Sequence, residues 1–500
     1  MNPSNGQRRK VWKNYVKDQQ ADPLLYFRSS GLSELIAIVR DAESKGYNVK
    51  ATGSGHSSSD VALCDDYMID THGLDLELPL SALNLRDELS LSSSLYFTEA
   101  GVRIKELNRR LAAKGKALIN MGAYDGQTLA GVVSTSTHGS GTRLGAFPAF
   151  VRSIILLGEG GRLYQIEPSG ERSISKGSVL LAGDHRPELL RDDRLFNAAV
   201  VSMGCMGIIY AVVIDVVDSY ELKETRQFSV WSKVREQLRT GDVLKDNRHY
   251  EVLINPYAYR KKDHKVMVTE RNFNPGEKRS TFRRGHRKWF VTALLAVIPN
   301  GLIDLVIRTI VNQIPSLVPG FIQLTLAALT DSDYIAASYK VLDLGRANNL
   351  SAYGMELAFP SDRYLDAIEE ILRIVAQSRA EGNQNLTGPV SLRFVKTNSF
   401  YLSMQYGSRQ DDFVCMIEFP TISGTIGGIE LLGRIEQAMY AYRGVPHWGQ
   451  VNHLGGMGKA GLSRLYARWP HWLAEYRRVC QLGTFENAFT RRCGIAATRE

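Results

Sequence analysis

The sequence predicts an α+β protein, and three observations carry that prediction. In the first 217 residues, stretches with apolar side chains at helical spacing alternate with short apolar runs bounded by glycine. From residue 218 the character changes: strand-like runs alternate with helical patterns, which fits a mixed or antiparallel sheet covered by helices on one side. The bulk composition, 44% hydrophobic and 23% charged over 500 residues, is that of a folded chain long enough for more than one core.

The elements follow in order. Residues 31–45 place Leu32, Leu35, Ile36, Val39 and Ala42 on one helical face. After Tyr47 to Lys50 comes the turn Ala51-Thr52-Gly53-Ser54-Gly55-His56-Ser57-Ser58-Ser59-Asp60. Glycine there supplies positive φ and lets backbone N–H groups close on an anion. A nucleophilic imidazole beside such a cradle points to a covalently attached cofactor; the plain alternative is a surface loop with an incidental histidine. Residues 102–113 form a second helix through Ile104, Leu107 and Leu111, with Gly115 as its stop.

A second glycine segment spans Met121 to Gly141 and contains Gly122, Gln127, Thr128, Gly131, Thr135, His138 and Gly139. Small residues and hydroxyls dominate it, as a long flat ligand lying along backbone requires. A flexible linker is also rich in Gly, Ser and Thr, but it does not normally carry Met121, Leu129, Val132 and Val133. Two such segments fit a cofactor with two ends, such as a dinucleotide. Val151–Leu157 and Ile208–Val217 read as strands. Beyond 218, the strand-like runs are 251–255, 264–269, 353–359, 390–396 and 413–419, and residues 361–378 form a helix through Leu365, Ile368, Ile371, Leu372 and Val375.

Residues 289–330 are mostly apolar and follow the basic cluster Arg279, Arg283, Arg284, Arg287 and Lys288. A spanning helix needs about 18 or more nearly uninterrupted apolar residues. Pro299, Asp304, Arg308, Asn312, Pro315 and Pro319 interrupt this stretch, so a buried helical hairpin or a lid over an apolar pocket is expected. The basic flank also makes 279–330 a candidate for peripheral contact with an anionic membrane.

Net charge is +9, and no basic, aromatic-interleaved run argues for nucleic acid. Cys64, Cys205, Cys415, Cys480 and Cys493 are scattered without CxxC spacing, which argues against a zinc site or a disulfide framework and fits a reducing, cytoplasmic compartment. No metal site is expected. Arg8, Arg9 and Lys10 precede no apolar h-region, so no cleaved secretory signal is expected.

On these motifs the chain resembles the vanillyl-alcohol-oxidase-type (PCMH-type) FAD-linked oxidoreductases, in particular the aldonolactone and alditol oxidase branch. The matching residues are Val11-Trp12-Lys13-Asn14-Tyr15, Pro23, the Gly-Ser-Gly-His-Ser turn, the Thr-His-Gly-Ser-Gly stretch, Met203-Gly204-Cys205-Met206-Gly207-Ile208-Ile209, Pro446-His447-Trp448-Gly449 and Phe485-Glu486-Asn487-Ala488-Phe489. The match weakens between about 270 and 350. It implies a two-subdomain FAD domain over 1–217, a substrate cap over 218–440, and a segment 441–500 that returns to the FAD domain. It also implies that Thr52 to Ser58, the glycine segment, Gly204, Gly207, Ile208 and Asn487 bind FAD, and that His56 bonds covalently to the flavin. Residues 121–141 hold no cysteine, so a single linkage is expected, with Cys205 only packing.

For chemistry, the cofactor does the difficult step and the protein binds, orients and tunes. The resembled enzymes use a Glu-x-Arg pair on one strand, where alternate residues share a face. Here Arg393 is kept and Ser391 takes the glutamate position. The family's His-Trp-Gly-Lys reads His447-Trp448-Gly449-Gln450. Losing a carboxylate and an ammonium together fits one coupled change, since either alone strands a charge; Ser391 and Gln450 can only hydrogen bond. Arg393 can polarise an oxygen, or else only bridge strands. His447 is the candidate base, and Glu356 is a weaker candidate acid. Tyr401, Tyr406, Asn452 and His453 have only spacing in their favour. The expected activity is oxidation of a CH–OH group of a small molecule, with molecular oxygen or another acceptor taking the electrons. The two lost charges and the apolar stretch lean toward a less polar alcohol rather than a simple alditol or aldonolactone. Dehydrogenation of a C–N or C–C bond, and flavin binding without turnover, are the alternatives.

Overall fold

The computed structural model describes residues 6–7, 10–90, 94–181, 183, 185–259, 263–281, 308–329, 333–344, 352–382, 384–407 and 412–497. Local patterns become the expected elements. The helix Leu32–Ser44 buries Leu35, Ile36, Ile38, Val39 and Ala42, and the chain leaves it at Gly46 with φ +72°. The helix Ile104–Ala113 buries Ile104, Leu107 and Leu111 and stops before Gly115, whose φ of +67° continues no helix. Each fully buried Leu or Ile contributes about 1.5–3 kcal/mol.

The first part holds two larger sheets, besides the short pairs Trp12–Lys13 with Gln20–Ala21 and Lys116–Ala117 with Val217–Asp218. Leu25–Arg28, Tyr67–Asp70 and Val49–Thr52 form a three-stranded parallel sheet with Tyr67–Asp70 in the middle. Glu188–Arg191, Leu163–Glu167, Val151–Leu157, Ile208–Asp215 and Leu95–Glu99 form a five-stranded sheet in that order. The second part is one eight-stranded sheet, ordered Tyr334–Ala337, Glu221–Val230, Lys265–Phe273, His249–Ile254, Val390–Lys396, Phe413–Ile422, Ala352–Pro360 and Val445–Pro446. Every neighbouring pair in it is antiparallel.

Alternation decides what each face of that sheet does. Val252, Ile254, Leu392, Phe394, Met355, Leu357, Ile417 and Phe419 point to one face. They pack there with Ile322 and Leu326 of helix Val318–Leu329, Ile368 and Ile371 of Tyr364–Gly382, and Leu431 and Ile435 of Gly428–Met439. The intervening positions, among them Glu251, Ser391, Arg393, Glu418 and Glu356, point to the opposite face. That face meets the first part of the chain: Ser140 Oγ donates to Tyr250 O at 2.8 Å, and Gly141 N–H donates to Phe394 O at 2.5 Å.

After Val445–Pro446 the chain packs on the first part. Trp472 Nε1 donates to Ala198 O, and the backbone N–H groups of Gln481, Leu482 and Thr484 all donate to the Glu159 carboxylate. Of the apolar stretch 289–330, residues 289–307 and 330 lie outside the described residues. The rest is a helical turn to residue 313 and the helix Val318–Leu329, of which Val318, Ile322 and Leu326 are buried. No helix among the described residues is long and apolar enough to cross a membrane.

Candidate active site

The two glycine segments meet. A Cβ on Gly53 would overlap Thr128 Oγ1, so glycine at 53 is what lets the first turn lie against the second segment. Ser54 Oγ donates to Gly126 O at 2.6 Å. Gly55 has φ +65° and turns the chain so that His56 stacks on Tyr15, 4.4 Å between ring centroids, with Tyr124 edge-on at 4.2 Å. His56 Nε2 is buried without a hydrogen-bond partner, and burial lowers the ring pKa to about 4, so the imidazole is neutral with a free lone pair at neutral pH. Gly139 is pressed against Asn120 and Met121 O, where no side chain fits. Gly204 and Gly207 both have positive φ, and Gly207 enters strand Ile208–Asp215 against Leu157 O.

The first turn also touches the C-terminal motif. Ser58 N–H donates to Gly449 O at 2.8 Å, and Ser59 Oγ donates to Trp448 O at 2.6 Å. His447, Trp448, Gly449 and Gln450 therefore lie beside the Gly-Ser-Gly-His-Ser turn although some 390 positions separate Ser59 and Trp448 in sequence. Asn487 is engaged elsewhere: its amide donates to Val61 O and Leu63 O and its oxygen accepts from Thr490 N–H, capping the helix Ala488–Arg492. These contacts tie the 60–63 turn to the N-terminus of that helix.

Across the polar face of the large sheet runs a ribbon of opposite charges. Arg271 Nε donates to Glu224 at 2.7 Å and its Nη1 to Glu251 at 2.9 Å. Glu251 is the register partner of Arg393. Arg393 Nη2 donates to Glu356 Oε1 and to Glu418 Oε2, both at 2.8 Å. His138 Nε2 lies 3.1 Å from Glu356 Oε1, and its Nδ1–H donates to Gly139 O at 2.7 Å. So a histidine of the second glycine segment and the sheet arginine share one carboxylate.

Burial opposes ionisation of Glu356, but the charges of His138 and Arg393 outweigh it and hold the carboxyl far below the usual range. Glu418 is the opposite case: burial raises it, Arg393 pulls it back, and the neighbouring Glu356 charge raises it again. Its side chain is 28% exposed, against 2% for Glu356. Burial would lower Arg393, yet Glu356 and Glu418 keep it firmly protonated.

His447 has lost the freedom a base needs. Gly449 N–H donates to its Nδ1 at 3.0 Å, which leaves the ring proton on Nε2 and makes that nitrogen a donor. Burial lowers the ring to about 4. Gln450 Nε2 donates to Glu418 Oε1 at 3.4 Å, and its own Oε1 is buried without a partner. Ser391 is buried and is the register partner of Glu418. Glu418 is the site residue that sequence reasoning missed. Of the further candidates, His453 pairs with Glu436 at 2.6 Å and Tyr406 OH accepts from Arg468, both away from this cluster.

Residues 212–493, more than half of the chain, match the D-arabinono-1,4-lactone oxidase family, and residues 23–167 match an FAD binding domain family. The chain belongs to the D-arabinono-1,4-lactone oxidase family. A relative of this lactone oxidase family member, the L-gulono-1,4-lactone dehydrogenase of Mycobacterium tuberculosis, is 26% identical over 485 residues, covering 96% of this chain and 98% of its own. The D-arabinono-1,4-lactone oxidase of Eremothecium gossypii is 32% identical over 217 residues, covering 43% of this chain and 36% of its own. The cholesterol oxidase of B. sterolicum shares the fold at a TM-score of 0.77, with 13% identity and 99% coverage of both chains.

The family member is thus an FAD-dependent oxidoreductase of the vanillyl-alcohol-oxidase type. The residues fit that cofactor. His56 offers an unpartnered buried nitrogen, the glycine turns give a bare backbone surface, and His138 of the second segment reaches Glu356 of the charge cluster.

Proposed function

We propose that the chain oxidises a CH–OH group of a small polyhydroxylated substrate of the aldonolactone class, with FAD attached through His56 and the substrate oxygen held at Arg393. One observation carries the reading. Arg393 Nε is a buried donor without a partner and Gln450 Oε1 is a buried acceptor without one. Both side chains are tied to Glu418, one to each of its oxygens. A hydroxyl both donates and accepts, so it satisfies the two together.

When bound, FAD supplies a two-electron acceptor for the hydride of the carbinol carbon. The protein supplies the rest. Arg393 orients and polarises the substrate oxygen, and its charge stabilises negative charge developing there. Ser391 and Gln450 add neutral hydrogen bonds. His447 presents an N–H donor. Residues 1–217 and 441–500 are assigned to the cofactor and 218–440 to the substrate, since the polar sheet face lies where the two meet. Five free, buried cysteines support a reducing, cytoplasmic compartment.

A less polar alcohol is the alternative: it rests on Ser391 and Gln450 in place of the resembled enzymes' Glu and Lys and on the apolar stretch 289–330, while Glu418 puts a carboxylate beside Arg393. The reading is tested by incubating the purified protein with aldonolactones and alditols and a dye acceptor, under air and under nitrogen, with product analysis. Oxidation of an aldonolactone hydroxyl supports it. Turnover confined to amines or apolar alcohols contradicts it.

A further inference from the structure

Four carboxylates line the charge ribbon: Glu224, Glu251, Glu356 and Glu418. Three are closed off. Glu224 and Glu251 have side chains 4% and 11% exposed; Glu224 is paired with Arg271 and Arg226, and Glu251 with Arg271. Glu356 is 2% exposed and receives both Arg393 and His138. A carboxylate that holds a buried arginine in a closed interior is a poor proton acceptor, because protonating it would strand that charge.

Glu418 is the most exposed of the four. It receives a single cationic donor on Oε2, and its other oxygen has only the long, neutral contact from Gln450. Its side chain keeps an open edge. Next to it, position 354 is glycine, and a Cβ there would sit 3.5 Å from Glu418 Oε1 and 3.0 Å from Gln450 Oε1. Glycine at 354 therefore leaves room for the Gln450 carboxamide to lie beside Glu418. The two partnerless atoms that suit a hydroxyl, Arg393 Nε and Gln450 Oε1, belong to the two side chains bonded to Glu418.

We propose that Glu418 is the catalytic base that takes the substrate's hydroxyl proton. The inference rests on the CH–OH reading above and names the residue that reading leaves open. In the step, the substrate O–H bond breaks and its proton forms an O–H bond on Glu418. The electron pair left on oxygen becomes the second C–O bond. The C–H bond breaks with its pair leaving as hydride to oxidised FAD, so carbon is oxidised by two electrons and the flavin reduced by two. The groups facing Glu418 are Arg393 from strand Val390–Lys396, Glu356 from Ala352–Pro360 with its partners His138 and His447 behind it, and neutral Gln450. Its protonation follows their summed charge.

The register offers a positional test. Ser391 is directly opposite Glu418, so a carboxylate can be moved one strand sideways and still reach Arg393. The holoenzyme is compared with Glu418→Gln, Glu418→Asp and the double variant Ser391→Glu/Glu418→Gln, measuring kcat/KM against pH together with the flavin spectrum and the thermal midpoint. Glu418→Gln is expected to keep the spectrum and a cooperative melt, lose about 100- to 10,000-fold in kcat/KM, and lose the acid limb of the profile. Glu418→Asp is expected to keep the limb with lower kcat. The double variant is expected to recover about tenfold or more and to regain a limb. A Glu418→Gln enzyme with the limb unchanged overturns the proposal, as does a Glu418→Asp enzyme without one. If the wild type oxidises no CH–OH substrate, the function reading itself falls and this assignment with it.

Discussion

Glu356 and Glu418 are register partners on neighbouring antiparallel strands, and one nitrogen, Arg393 Nη2, donates to both at 2.8 Å. Two carboxylates side by side would repel. Here the arginine and His138 divide them into one that stays ionised and one that is pushed toward neutrality. That division is the physical core of the site.

It predicts opposite stability effects of two similar substitutions. Glu356 has a folded pKa below its unfolded value, so it stabilises the fold above pH about 4.5, and that contribution fades as pH falls. Glu418 has a raised folded pKa, so its contribution is present at low pH and is lost as pH rises. Thermal melts at about pH 3 and about pH 7 should show Glu356→Gln most destabilised at the higher pH. Glu418→Gln should compare best with wild type there. The same trend for both variants would contradict the division.

Removing the arginine strands both acids. Arg393→Met should cost about 3–5 kcal/mol, as expected when one partner of a buried pair is lost, and should abolish turnover. Arg393→Lys keeps the charge but not the fork, and should recover stability better than activity. Chemical denaturation and steady-state kinetics on both variants check this.

The joint between the glycine segments is equally specific. Gly53→Ala forces a methyl into Thr128 Oγ1. The expected cost is about 1–3 kcal/mol of overpacking, with reduced flavin occupancy in the absorption spectrum. Gly46→Ala, in open space at φ +72°, should strain the backbone without affecting flavin content.

The free nitrogen of His56 predicts its bond. Acid-precipitated wild type should keep its yellow colour in the pellet, and His56→Ala should release it to the supernatant. Colour leaving the wild-type pellet would mean a noncovalent cofactor.

How far these features were legible depended on sequence distance. Strands Val151–Leu157 and Val390–Lys396 were readable to the residue, because alternation and flanking glycines are local signals. The helix expected at 361–378 runs from Tyr364 to Gly382, starting three residues later and ending four later, since its last residues are polar or small and periodicity does not count them. Ser391 could be recognised as a missing acid, but not Glu418 as its neighbour: that depends on the register between strands Val390–Lys396 and Phe413–Ile422. Likewise His138 reads as part of a glycine segment, and only the fold brings it to Glu356. His447 has the residue type of a base, and a single backbone N–H from Gly449 makes it a donor.

The most direct test of the account is anaerobic mixing of the purified holoprotein with L-gulono-1,4-lactone or D-arabinono-1,4-lactone, following the flavin's visible absorbance, in parallel with Arg393→Met. The account predicts bleaching of the wild type in a single phase and an unbleached variant that dithionite still reduces. Equal bleaching of both proteins, or none of the wild type by any CH–OH donor, would contradict it.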